Sequence, residues 1–131
     1  MKYVLVTGAY GGMGRKAVEV LRKHGFGVFA VDRNVGDSEE NVIPLRVDIT
    51  DTESVKDAAQ EVEKITYELY AIVHYAGIYM LYSLAETDSE SFERIFKVNL
   101  FGAFIINKIF LPFLRKGSKI VITTSELATL D

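Results

Sequence analysis

A chain of 131 residues, 49% hydrophobic and 25% charged, has room for one domain around one core. With a net charge of -3 and its lysines and arginines scattered among acids, it offers no basic stripe for nucleic acid, and the absence of cysteine excludes disulfides, thiolate catalysis and cysteine-ligated zinc. The two histidines, His24 and His74, stand apart from any H-E-x-x-H context and argue against a metal site.

In chain order, a first strand is read from Tyr3 to Thr7, and Ala17, Val18, Val20 and Leu21 repeat at helical spacing behind it. Further strands are read over Gly27 to Asp32, Val42 to Val47, Tyr70 to His74 and Lys119 to Thr124. Thr50-Asp51-Thr52-Glu53 has the capping-box form and opens a helix read as far as Tyr67. Thr87-Asp88-Ser89-Glu90 repeats that form and starts the longest helix, from Asp88 to Arg115, with Pro112 distorting its last turns and Gly117 stopping it. Strands alternating with helices predict an α/β fold of parallel βαβ units.

The long helix carries Phe92, Phe96, Leu100, Phe101, Phe104, Ile105, Ile109 and Phe113 on more than one side, so it needs two partners. One is the sheet, and the other is a neighbouring helix of this chain or of a second subunit, which predicts a homo-oligomer through Asp88 to Arg115. No apolar segment is read as approaching the ~18 residues of a membrane-spanning helix, so the expected address is the cytoplasm, with no membrane partner.

Gly8, Gly11, Gly12 and Gly14 fall in the turn between the first strand and its helix. Bare backbone there admits close approach, and the free N–H groups and dipole of the helix favour a negative charge such as a pyrophosphate. The plainer alternative is a turn that only packs helix against strand. The missing Gly-Lys-Ser/Thr excludes a P-loop, while Asp32, closing the second strand, stands near the spacing at which an acid meets an adenosine ribose.

Together these residues resemble the short-chain dehydrogenases/reductases. "TGAYGGMG" matches T-G-x-x-x-G-x-G, "VDIT" around Asp48 looks like that family's adenine-contacting segment, and "HYAGI" stands where N-N-A-G-[IV] is usual. "VNLFG" carries Asn99, and "LPFLRKGSKIVITTS" resembles the approach to a catalytic serine at Ser125. "TGAYGGMG" also satisfies T-G-x-x-G-x-x-G, the form of the longer, sugar-nucleotide-modifying branch, whereas "VNLFGAF" with "LPFL" favours the shorter one.

The resemblance implies a Rossmann-like, doubly wound parallel sheet of order 3-2-1-4-5, with a dinucleotide across the carboxyl ends where strands one and four diverge. Thr7, Gly8, Gly12, Met13 and Gly14 would surround its pyrophosphate, and Ala76 and Gly77 would let it pass. Asp32 would accept from the ribose hydroxyls and favour NAD over NADP, with Arg33 keeping a 2′-phosphate open. Asp48 and Ile49 would meet the adenine, unless Asp48 serves turn chemistry alone.

Asn99, an amide in an apolar helix, must have partners if buried; the resemblance makes it part of a proton relay, against the alternative of a helix-distorting structural amide. Ser125 would hydrogen-bond a small alcohol or carbonyl substrate. His74, where asparagine is expected, is read as a satisfied histidine at the core edge, and His24 as a partner of its helix dipole. Tyr75, Tyr79 and Tyr82 either line a substrate entrance or pack.

The family's reaction needs a Tyr-x-x-x-Lys pair, and none of the seven tyrosines has lysine four residues on. The pair is expected just past Asp131, together with later strands and helices, so the domain is expected to be incomplete at its C-terminus and inactive alone, with the fifth strand an apolar edge. The implied reaction is NAD(P)-dependent interconversion of an alcohol and a carbonyl. The alternatives are a non-catalytic NAD(H)-binding module, half of an assembly, or a relative of the sugar-nucleotide epimerases and dehydratases.

Overall fold

Short apolar runs bounded by turn residues become the strands of a parallel sheet in the computed structural model, which describes residues 1–77 and 84–123. β1 (Tyr3–Thr7), β2 (Gly27–Asp32), β3 (Val42–Arg46), β4 (Leu69–His74) and β5 (Leu114–Ile122) lie in the order β3-β2-β1-β4-β5, as expected for a doubly wound fold. The central strands are covered on both faces and so are apolar at nearly every position. Val4, Val6, Val28, Ala30 and Ala71 meet Val18 and Leu21 of α1 (Gly12–Lys23) on one face. Leu5, Phe29, Val31 and Ile72 meet α2 (Thr52–Glu63) and α4 (Ala103–Phe110) on the other. Pro44, which has no N–H to donate, is tolerated because β3 is an edge.

The start of α2 differs from the capping-box expectation. Asp51, not Thr50, is the N-cap, accepting from the Glu53 N–H, while Thr50 turns back to Asp48. Its end comes at Glu63 rather than Tyr67, because the N–H groups of Ile65 and Thr66 both reach Val62 and the Thr66 hydroxyl then exchanges bonds with the Glu68 backbone, turning the chain into β4. Asp88 likewise caps α3 (Ser89–Phe96) through the Ser91 N–H.

The long helix is continuous from Ser89 to Phe113 but not uniform: α3 passes through a π-helical turn, Lys97–Gly102, into α4 and a 3-10 turn, Leu111–Phe113. It therefore ends two residues before the expected Arg115. Pro112 sits in the 3-10 turn, and Leu114 already has extended backbone and pairs with Leu69. Gly117 does not stop the helix. It takes a φ of 91° in a bulge between Leu114 and Lys119, where Ser118 Oγ donates to the Leu69 carbonyl and accepts from Arg115 N–H. Regular pairing resumes at Lys119, the expected start of the strand; its expected last residue, Thr124, lies outside the described residues.

At 25 residues, Ser89–Phe113 is long and apolar enough to cross a membrane by length and composition, which corrects the reading that no segment approaches that size. Here one side packs on the sheet through Ile105, Ile106 and Phe110. The other side leaves Phe92, Phe96, Leu100, Phe101 and Phe104 exposed.

Candidate dinucleotide site

The site begins where β1 runs out. Gly8 has a φ of 66°, and a Cβ built on it would lie 2.6 Å from the Ala76 nitrogen, so the turn closes directly onto the end of β4. A Cβ on Gly14 would strike the Gly8 carbonyl oxygen, which makes Gly14 a buried contact between helix and turn rather than an open surface. Gly11 is the N-cap of α1 and supplies no side-chain cap, so the first N–H groups of the helix remain available at its positive end. Gly12 has open space around it and Met13 is exposed beside it.

A cleft of about 360 Å³ opens in front of this turn, walled by Gly8 and Gly11, by Val31 to Arg33, by Val47 to Thr50 and by Tyr75 to Gly77. Arg94, Lys97 and Val98 close it from the helix side. It thus brings together Gly8, Asp32, Arg33, Asp48, Ile49, Ala76 and Gly77 of the expected residues, with Thr7 directly beneath. Both Asp32 oxygens are oriented by backbone, Oδ2 accepting from Tyr10 N–H at 3.0 Å and Oδ1 from Arg33 N–H at 2.7 Å.

Asp48 serves turn chemistry. Its Oδ1 accepts from the Thr50 hydroxyl at 2.6 Å and the Thr50 N–H at 2.9 Å, and these bonds hold its carboxyl below the ordinary aspartate range, helped by Arg33 and Lys97. Ile49 is buried against Gly102, where a Cβ would stand 2.7 Å from its Cδ1. The glycine lets the π turn approach the sheet.

Beneath the cleft lies a polar chain. Ala76 N–H donates to Thr7 Oγ1 at 3.2 Å, Thr7 Oγ1 faces His74 Nδ1 at 3.4 Å, and His74 Nε2 meets Asn107 Oδ1 of α4 at 2.7 Å. Thr7 and His74 are buried, and burial lowers the ring below the ordinary histidine value against the opposing pull of Asn107. His74 is thus the satisfied core-edge histidine expected. His24 Nδ1 lies 2.8 Å from the Val20 carbonyl at the end of α1, among carbonyls at the negative end of the dipole.

Asn99 lies in the π turn and is exposed, so the cost of burying an amide is not what holds it there. Its Oδ1 faces Gly77, within 3.2 Å of where a Cβ would stand. Ser125, Tyr79 and Tyr82 lie outside the described residues. Sequence reasoning missed Arg94, Lys97 and Asn107. The first two share a helix face by their i, i+3 spacing, and Asn107, half-buried in an apolar helix, satisfies the argument made for Asn99 better than Asn99 does.

A family model described as short chain dehydrogenase matches residues 2–130. The chain belongs to the short chain dehydrogenase family. Within that family it is 36% identical to estradiol 17-beta-dehydrogenase 2 of Mus musculus over 96% of this chain and 36% of that protein. It is 28% identical to the NADPH-dependent 1-acyldihydroxyacetone phosphate reductase of Schizosaccharomyces pombe, over 98% of this chain and 45% of that protein. The chain therefore spans less than half the length of these curated relatives. Its fold matches the crystal structure of a short chain dehydrogenase family protein from Francisella tularensis with a TM-score of 0.90, covering all of this chain and 54% of that one at 24% identity.

Proposed function

We propose that the cleft binds NAD(H), and that the chain is the cofactor-binding part of an oxidoreductase interconverting an alcohol and a carbonyl. The observation that carries this reading is the pairing of an uncapped helix start with an oriented carboxylate across one cleft: α1 presents free N–H groups behind bare backbone at Gly11 and Gly12, and Asp32 stands opposite. Val31, Ile49 and Val98 add apolar walls suited to a flat base. These residues fit a dinucleotide: N–H groups for a pyrophosphate, acceptor oxygens for a hydroxyl pair, and no side chain at Gly8 or Gly77 to obstruct it.

When bound, the nicotinamide supplies hydride transfer. The chain's own residues bind and orient. Gly8 and Gly77 keep the passage open, Asp32 accepts from ribose hydroxyls and disfavours a 2′-phosphate, and Arg33, Arg94 and Lys97 balance phosphate charge at the mouth. Asn99 is assigned the role of holding a water-borne proton path beside Gly77, and Ser125 that of hydrogen-bonding the substrate oxygen. The Tyr-x-x-x-Lys proton donor is not among these 131 residues, so turnover requires it from other polypeptide. The exposed face of Ser89–Phe113 is assigned to a second copy of the chain, in a cytoplasmic setting.

The S. pombe relative is NADPH-dependent by name, so the preference for NAD rests on Asp32. Comparing NADH and NADPH affinities before and after Asp32→Ala tests it. NADH is expected to weaken and the gap to NADPH to narrow; an unchanged preference would remove Asp32 from the ribose site.

A further inference from the structure

We infer that His74, held between Thr7 and Asn107 under the cleft floor, is a positioning residue that makes dinucleotide binding sensitive to protons. This rests on the NAD(H) reading above and adds regulation to the same site.

Asn107 Oδ1, at 2.7 Å, takes the hydrogen on Nε2, so the neutral ring leaves Nδ1 as an acceptor. The Thr7 hydroxyl donates to that acceptor across 3.4 Å, and its oxygen is then left to take the Ala76 N–H at 3.2 Å. Ala76 and Gly77 form the cleft wall, and the Thr123 hydroxyl ties the His74 carbonyl to the end of β5 at 3.0 Å. The ring thereby joins β4 to β1 and α4, and the His74 carbonyl joins it to the end of β5, where the wall forms.

Protonation would place a hydrogen on Nδ1, aimed at Thr7 Oγ1. The Thr7 oxygen has two lone pairs and could take this hydrogen beside the Ala76 N–H, but the hydroxyl would have to rotate and its own hydrogen would lose its acceptor in a buried site. Among the described residues no charge would compensate. Among the described residues the groups bonded to the ring are the Thr7 hydroxyl and the Asn107 amide; Lys108 of α4 turns over Phe104 and Lys119 of β5 over Tyr70. Among the described residues no carboxylate or cation acts on the ring, whose titration is moved by burial and by Asn107 alone. A ligand packed on the Ala76–Gly77 wall favours the neutral ring, so binding expels the proton and affinity falls as pH falls.

The test is calorimetric titration of the full chain with ADP-ribose at pH 8.0 and 5.5, with circular dichroism to show that it is folded at both. The dissociation constant is expected to rise at the lower pH, and His74→Asn, which keeps an amide donor and acceptor without a titrating ring, is expected to abolish that rise. Asn107→Asp is expected to move the midpoint to higher pH by stabilising the charged ring. In NMR, the Ala76 amide of the free chain is expected to shift with the midpoint of the His74 ring. Equal affinity at both pH values overturns the role of His74 and leaves the dinucleotide reading standing, as does an unchanged slope in His74→Asn or an Ala76 amide that ignores the ring. A folded chain that fails to bind ADP-ribose at pH 8.0 overturns both.

Discussion

The region from β1 to α2 and the region from α3 to β5 are built from the same kinds of residue but finish differently. In the first, Val4 to Val6 and Val28 to Val31 are almost fully buried, and the glycine turn closes onto the sheet. In the second, Ile120, Val121 and Ile122 of β5 are 44%, 46% and 54% exposed, and the phenylalanines on the outer side of Ser89–Phe113 are exposed to a similar degree. The first region presents the glycine turn and Asp32 to the cleft. The second contributes one wall of the cleft and carries apolar surface of the kind that marks an interface.

Substitutions on the two sides and a change of pH sharpen this contrast. Phe110→Ala removes the ring that joins α4 to the sheet and is expected to cost about 3–5 kcal/mol in urea unfolding, whereas Phe104→Ala, on the open side of the same helix, should change stability by less than about 0.5 kcal/mol and instead reduce self-association in sedimentation. Equal costs would mean that the outer side is covered within the monomer. Gly14→Ala drives a methyl group into the Gly8 carbonyl and is expected to cost about 1–3 kcal/mol, measured the same way, with loss of nucleotide binding.

Acid should act at the end of β4, between the two regions. Burial lowers His74 below the ordinary histidine value, so below about pH 6.5 the unfolded chain takes up a proton that the folded chain refuses. The stability gained by keeping the ring neutral is complete above that pH and is lost as pH falls toward the folded value, with a limiting slope of about 1.4 kcal/mol per unit. Unfolding curves at pH 7.5 and 5.5 for the wild type and His74→Asn measure it. The smallest effect belongs to Gly12→Ala, where a Cβ meets nothing: helix propensity should keep or raise stability by up to about 1 kcal/mol, in contrast to Gly14→Ala two residues on.

Much of the first region is legible from sequence, because its information is local. The continuously buried strands around Leu5 and Phe29, the glycine turn and Asp32 at a strand end follow from residue type and spacing, and the order of the strands follows from the family resemblance. The departures are where distant segments decide. Gly14 packs against the Gly8 carbonyl, a contact that its spacing alone does not record. The π turn at Lys97–Gly102 forms where Gly102 admits Ile49, and the bulge at Gly117 forms where Ser118 reaches Leu69, neither of which a periodicity records. His74 is the clearest case. Its role is invisible without Asn107, thirty-three positions away.

The most direct test of the account is a titration of the isotopically labelled chain with NAD+, following backbone amides by NMR. The account predicts shifts at Gly11 and Gly12, at Asp32 and Arg33, and at Ala76 and Gly77, with the amides of the β5 bulge at Lys116 and Gly117 unmoved. A folded chain showing no shifts, or shifts confined to Phe101–Phe104 on the open side of the long helix, would contradict it.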